Sequence, residues 1–277
     1  GLSTPIPKAT YKFLKWMNVD VYMARTEGSY FVMPKWSKKL RPGRTTMEIS
    51  LLFSKEELAK LSLDEIRERT NEVLLYDAYR DQEENRVRYT GCADIRGLEN
   101  VLYICPDCGK EYTMVVEGES AITCTACGFR QEMDELGFFH NANPEKEVRY
   151  VSDWSRMIYR GMKKQLEADG SMELKAETLF RMVDSEKHKL VDVGSGIVTL
   201  KRGRIILDGS IRGQETRLEV PIVGIPALPF SPGKHLEVQH GEEIYRCVFK
   251  DGRPVMKFIN MIKSLYEIEQ EALAGSK

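Results

Sequence analysis

The chain has 277 residues, 42% hydrophobic and 30% charged, with a formal net charge of -1. That is the composition of a globular protein long enough for more than one core, since single cores seldom grow past about 250 residues. No apolar run approaches the roughly 18 to 20 residues that span a bilayer, and no overall basic excess points to nucleic acid.

The first residues, GLSTPIPKATYKFL, lack an apolar segment ending at a small-residue cleavage site, so no secretory signal is expected. KATYKFLKWMN has helical spacing, with Lys8, Lys12 and Lys15 on one face and Ala9, Phe13, Trp16 and Met17 on another. VDVYMAR reads as a buried strand, followed by a turn at Gly28 and the segment SYFVMPKW. Up to Met47 the bases are Lys8, Lys12, Lys15, Arg25, Lys35, Lys38, Lys39, Arg41 and Arg44, against only Asp20 and Glu27. Seven aromatic rings, including Phe13, Trp16, Tyr22 and Trp36, are interleaved with them. Such a mixture suits a surface that meets anionic headgroups, with Lys8, Lys12, Lys15, Arg25, Lys35 and Arg41 as the candidate contacts; a solvated face over an ordinary core is the alternative.

TTMEISLLF is a strand, and SKEEL and SLDEI carry capping boxes at Ser54/Glu57 and Ser62/Glu65. A helix from about Leu63 to Tyr76 follows. Asp77, Asp81, Glu83 and Glu84 read as a solvated polar run rather than a catalytic carboxylate set.

The order of these residues resembles the latter part of the glycerolipid acyltransferase domain, the lysophosphatidic acid acyltransferase type of bacteria. Similar members have a helix, a strand, an Arg-x-x-Gly segment (Arg25, Gly28), a Pro-x-Trp (Pro34, Trp36), then a strand leading to Ser-x-Glu-Glu-Leu (Ser54 to Leu58) and Asp-Glu-Ile (Asp64 to Ile66). Some clostridial-type members append a four-cysteine ribbon. The resemblance covers about the first 130 residues. It implies that residues 1–98 are the C-terminal part of an α/β domain. That domain would transfer an acyl group from acyl-CoA or acyl-ACP to a lysophospholipid such as 1-acyl-glycerol-3-phosphate at a membrane surface.

The chemistry of that family resides in a His-x-x-x-x-Asp motif, whose His deprotonates the acceptor hydroxyl. None of His140, His188, His235 and His240 has Asp at the fifth position after it. TEGSYF, Thr26 to Phe31, is a partial stand-in for the family's phosphate-holding motif but lacks its Arg. Both motifs would precede Gly1 in the family, so the resemblance implies a partial acyltransferase, inactive as this chain alone.

The strongest motif comes next. Cys105 and Cys108, then Cys124 and Cys127, form two Cys-x-x-Cys pairs separated by fifteen residues, the spacing of a zinc ribbon. Each pair is followed by a glycine, Gly109 and Gly128, whose backbone freedom lets amides turn toward the thiolates. Four thiolates close a tetrahedral site and leave no position for water or substrate, so the Zn2+ is expected to be structural. No thioredoxin-like context follows either pair. The arm reads as a hairpin of Tyr112 to Val116, a Glu-Gly turn and Ala121 to Thr123; the ribbon spans 99–137. Between Val101 and Glu135 seven acids face only Lys110 and Arg130, a balance that repels phosphates and argues against nucleic acid. Cys92 and Cys247 stand alone and read as buried free thiols, and the cysteine usage implies a reducing cytosol.

Residues 138–186 read as a helical connector. In it Ser152 is a plausible cap; Trp154, Met157, Ile158 and Met162 form one stripe; and a second short helix lies around Lys175 to Val183. From Leu190 the pattern is strand-like and punctuated by glycine: GIVTL, RIILDG, RLEVPI, HLEVQ, EIYRCVF. A closing helix carries Val255, Ile259, Ile262 and Tyr266 on one face. Strands capped by one C-terminal helix, over 187–277, resemble a pleckstrin-homology or GRAM-type barrel. Lys201, Arg202 and Arg204 read as a charged turn or a headgroup site, and Gly194 to Gly196 as a bend in a strand.

The expected fold class is thus multidomain: an α/β part, a small β zinc ribbon, and a mostly-β barrel-like domain with a C-terminal helix. Two functions are compatible with it. One is a partial membrane-associated glycerolipid acyltransferase on the inner face of the cell membrane. The other is a non-enzymatic zinc-ribbon adaptor that binds lipid or protein through its C-terminal β domain.

Overall fold

A computed structural model describes residues 1–3, 6–184 and 188–275, with side chains described up to residue 273. The chain divides into two compact units that interleave in sequence. One comprises Gly1–Ile95, Gly118–Ala121 and Gln131–Asp153; the other comprises Arg96–Glu117, Ile122–Arg130 and Trp154–Lys277.

The first unit opens with α1 (Lys8–Met17), β1 (Val21–Glu27), α2 (Ser29–Val32), β2 (Thr46–Phe53), α3 (Lys55–Lys60), α4 (Leu63–Leu74) and α5 (Ala78–Asn85). Both capping boxes form. The Ser54 and Ser62 hydroxyls accept the amides of Glu57 and Glu65, whose carboxylates accept the serine amides at 2.9 and 2.8 Å. They start α3 and α4 where the sequence predicts. Tyr11, Met23, Leu52, Phe53, Leu58 and Ile66 pack into one core cluster.

Three readings are revised by this unit. β1 is not a buried strand: among the described residues it pairs antiparallel with β2 alone, Tyr22 opposite Leu51 and Ala24 opposite Ile49. Met23 points into the core while Tyr22 is 62% exposed. In α1 the packed side is Tyr11 and Leu14, whereas Phe13, Trp16 and Met17 are exposed. Helical periodicity marks an apolar stripe, but only the neighbouring elements decide which stripe is covered. The acidic run after α4 is also more than a solvated tail. Asp77 caps α5 through the Tyr79 amide, and Glu83 holds the Arg149 guanidinium at 3.1 Å and the Tyr150 hydroxyl at 3.2 Å.

The ribbon sheet has the order β3 (Met114–Glu117), β4 (Ala121–Cys124), β5 (Arg130–Met133), β6 (Phe139–His140). The expected hairpin is there, turning at Gly118 with φ of 63°. α6 (Val151–Ala168) follows. It buries Trp154, Ile158, Met162 and Leu166 at four-residue spacing; Met157 lies outside this stripe, and Ser152 sits within the first turn rather than at the cap.

The second unit ends in a mostly-β domain. Its strands are β7 (Leu174–Asp184), β8 (Lys189–Lys201), β9 (Arg204–Ile211), β10 (Gln214–Pro221), β11 (Phe230–Ser231), β12 (His235–His240) and β13 (Glu243–Phe249). They form one antiparallel sheet in the order β10-β9-β8-β7-β13-β12-β11, followed by α7 (Val255–Gly275). The expected helix at Lys175 to Val183 is therefore a strand. Leu, Lys, Ala and Glu favour helix locally, but Thr178, Phe180 and Met182 alternate into the core, and pairing with β8 and β13 on both sides overrides propensity. In α7, Val255, Ile259 and Ile262 are buried as predicted, joined by Phe258, Met261 and Leu265; Tyr266 is half-buried.

The glycines of β8 permit a close approach of strands. A Cβ on Gly196 would lie 2.2 Å from the Asp208 carbonyl oxygen, and one on Gly209 would lie 2.5 Å from the Gly196 Cα. Gly196→Ala should therefore destabilise the β domain by about 1–3 kcal/mol, read as a lower urea midpoint at unchanged m-value.

Candidate metal centre

The two cysteine knuckles are built alike. Gly109 donates its amide to the Cys105 carbonyl at 3.0 Å and Gly128 to that of Cys124 at 2.9 Å. Both glycines have positive φ, 72° and 76°, which L side chains rarely adopt. This turn folds the amides of Asp107 and Cys108 onto the Cys105 sulfur, and those of Ala126 and Cys127 onto the Cys124 sulfur.

The four sulfurs lie within 4.8 Å of one another. Cys105 and Cys127 Sγ are 3.7 Å apart, and Cys108 and Cys124 Sγ 3.8 Å. Zinc–sulfur bonds of about 2.3 Å set tetrahedron edges of roughly 3.8 Å, the separation of both of these pairs, so the donor set is compatible with Zn2+. Cys105 and Cys124 are buried, Cys108 and Cys127 exposed, and no fifth side chain enters the cluster among the described residues. His140 is not a stray ligand: its Nε2 lies 2.8 Å from Asp134 Oδ2. The site can hold a structural metal and offers no open coordination position.

Electrostatics differ between the knuckles. Burial pushes the Cys105 thiol well above its usual range. Burial also works against ionising Cys124, but the Thr113 hydroxyl, 3.2 Å from its sulfur, and the Ala126 and Cys127 amides outweigh it and bring the thiol down to about 6. Thr113 is a residue that spacing alone does not reveal, because it reaches Cys124 only through the hairpin.

Within the second unit the knuckles are braced from behind. The Trp154 indole donates to the Ile104 carbonyl at 2.8 Å and meets Phe129 edge-on at 5.7 Å, touching the residue before the first knuckle and the one after the second. α7 grips the first knuckle as well. Lys257 pairs with Glu111 at 2.7 Å and Asn260 reaches the Tyr103 hydroxyl at 3.5 Å, while just ahead of the helix the Arg253 guanidinium lies 5.8 Å from the Tyr112 ring centroid. Cys92 and Cys247 are buried thiols, with burial pushing Cys92 up to about 11.

The six basic residues singled out as headgroup contacts do not form one site. Arg41 is 2% exposed, donates to the Asp94 carbonyl and to Cys92 Sγ, and lies 4.6 Å from the Trp36 ring centroid. It is an interior anchor and cannot reach a membrane. Arg25 pairs with Glu27 at 3.0 Å beside Tyr76, and Lys15 caps the Leu61 carbonyl. Lys8, Lys12 and Lys35 are exposed. In the β domain, Arg204 pairs with Glu219 at 2.6 Å.

The class this geometry defines is a four-cysteine zinc ribbon. Residues 98–131 match the zinc-ribbon family described as DNA directed RNA polymerase, 7 kDa subunit. No curated protein matches the chain. Among solved structures, the Ran binding domain of the nuclear complex component Nup2 from Ashbya gossypii aligns at 14% identity and a TM-score of 0.26, over 35% of this chain and 96% of that one. The Dm DCP1 EVH1 domain, solved with the XRN1 DBM peptide, aligns at 16% identity and a TM-score of 0.22, over 50% and 98%. Scores this low establish no shared fold. Among the described residues, no helix is long and apolar enough to cross a membrane.

Proposed function

We propose that this chain is a non-enzymatic adaptor in which a zinc-clipped ribbon braces a mostly-β domain that binds a protein partner. The carrying observation is the join between the closed four-thiolate site and that domain: Trp154 behind both knuckles, and Lys257 and Asn260 of α7 on the first. A metal with no open position can stabilise but cannot polarise a substrate. Seven antiparallel strands followed by a long C-terminal helix support the pleckstrin-homology or GRAM-like reading of the domain. Four of its surface arginines are matched by carboxylates, Arg204 by Glu219, Arg217 by Asp208, Arg181 by Asp192 and Arg212 by Glu243. That balance suits a mixed-charge protein surface better than a phosphoinositide headgroup.

The acyltransferase reading is supported by the motif order from Arg25 to Ile66, and it requires a His-x-x-x-x-Asp base that none of the four histidines of this chain supplies. Incubation of the zinc-loaded chain with acyl-CoA and lysophosphatidic acid is expected to give no product above the blank. Product formation that disappears in His140→Ala would overturn the adaptor reading. Saturable binding of a soluble phosphoinositide, weakened by Arg202→Glu, would replace the protein partner with a lipid.

A further inference from the structure

The seven-stranded sheet of the β domain ends differently at its two edges. β11 closes one edge with only two residues, whereas β10 forms the other with eight, Gln214–Pro221. Its pairing with β9 fixes which backbone groups are left over. The two strands are joined by the turn Arg212–Gly213, both residues at positive φ, so Ile211 and Gln214 form a hydrogen-bonded pair. From there the pattern alternates: Gln214, Thr216, Leu218 and Val220 bond to β9, and the amides and carbonyls of Glu215, Arg217 and Glu219 point to the free edge. Among the described residues no strand pairs with that edge. Such a row is a template for another strand, and proteins commonly blunt it with a very short strand or with charged side chains, above all lysine. β11 is blunted by its length. β10 is long, carries no lysine, and has charges of both signs.

Those charges select the occupant. Glu215, Arg217 and Glu219 share the exposed face of β10 and alternate in sign. A second β10 laid antiparallel across a two-fold axis can meet them in few registers. With Arg217 opposite Arg217, Glu215 faces Glu219 and every pair is like-charged, which is destabilising. With Leu218 opposite Leu218, Glu215 faces Pro221, which has no N–H to return. With Thr216 opposite Thr216, Glu215 of each copy faces Arg217 of the other, and the pair exchanges both backbone hydrogen bonds. Both side chains have capacity for this. Arg217 gives Nη1 to Asp208 at 2.6 Å and Nε and Nη2 to Glu219 at 3.2 Å, which leaves a hydrogen on each Nη. Glu215, unlike Glu219, has no cation beside it among the described residues. We propose that β10 is a self-complementary edge through which two copies of this chain join antiparallel, in the Thr216 register, into one continuous sheet. Pairing at this edge is independent of what else the domain binds, so it can fail without touching the adaptor assignment.

The zinc-loaded chain is examined by sedimentation velocity from about 1 to 300 μM, the range in which an interface of this small area dissociates. A reversible monomer–dimer equilibrium is expected, with amide hydrogen exchange over Gln214–Leu218 slowing as concentration rises. Glu215→Arg and Arg217→Glu should each weaken the dimer by about tenfold or more, because both symmetric pairs become repulsive. Two rescues separate lost pairing from lost folding. The double variant Glu215→Arg/Arg217→Glu should dimerise again, and an equimolar mixture of the two single variants should form a heterodimer, since each then meets its opposite charge. A chain that stays monomeric throughout the range would overturn the proposal and leave the edge to an extended segment of another protein. A dimer indifferent to the single reversals, or not restored by either rescue, would overturn it as well, because the copies would then meet elsewhere.

Discussion

Removing zinc should unfold the ribbon and take much of the second unit's stability with it. The four sulfurs lie within 4.8 Å of one another, Cys108 and Cys127 are exposed and the β3–β4 strands are only four residues long, so the metal is the direct cross-link between the knuckles, in front of the Trp154 and α7 contacts that brace them from behind. Structural zinc sites bind with apparent free energies of about 10–16 kcal/mol near neutral pH, and where no site exists in the unfolded chain that energy is folding energy. Reduced protein should contain about one zinc per chain by elemental analysis, and a strong chelator should lower Tm steeply. Cys108→Ser should do the same without chelator. Zinc affinity should also fall as pH drops, because the metal binds thiolates and protons compete with it for the sulfurs. Reduced protein without metal, insensitive to chelator, would refute the site.

The second large effect is expected at Trp154. Its indole is fully buried, donates to the Ile104 carbonyl and abuts Phe129, so it ties the start of one knuckle to the end of the other. Trp154→Ala leaves a cavity and an unpaired carbonyl, a loss of about 3–5 kcal/mol. Trp154→Phe keeps most of the ring but strands the Ile104 oxygen, costing about 1–3 kcal/mol. Guanidinium titrations should rank wild type above Trp154→Phe above Trp154→Ala. Zinc dissociation should speed up in the same order, because loosened knuckles release the metal more readily. Equal stability of the three proteins would mean that Trp154 does not brace the ribbon.

Much of the local structure was legible in the chain because its determinants are local. The capping boxes at Ser54 and Ser62 rest on contacts three residues apart, and the knuckles on glycines one residue after Cys108 and Cys127. The turns at Gly203 and Gly241, with φ of 81° and 61°, carry the conformations their residues favour. Less legible were features that depend on which partner arrives. Lys175 to Val183 has the composition of a helix and becomes a strand because β8 and β13 flank it. Arg41 belongs to a basic run and becomes an interior group because Trp36, Cys92 and Asp94 enclose it.

The metal centre divides along the same line. Spacing and residue type determined the four ligands, their closed coordination and the structural character of the zinc, since a Cys-x-x-Cys knuckle is set by bonds and turns within a few residues. Only the tertiary structure decided what the clip is for and which surfaces stay open. It put Trp154, Lys257 and Asn260 behind the knuckles, Thr113 on Cys124, and left Trp16, Tyr22 and Ile49 facing water. The reason is that burial belongs to the assembled set of elements and not to any one of them: the sequence marks a side chain as apolar, but whether it is covered depends on what packs over it.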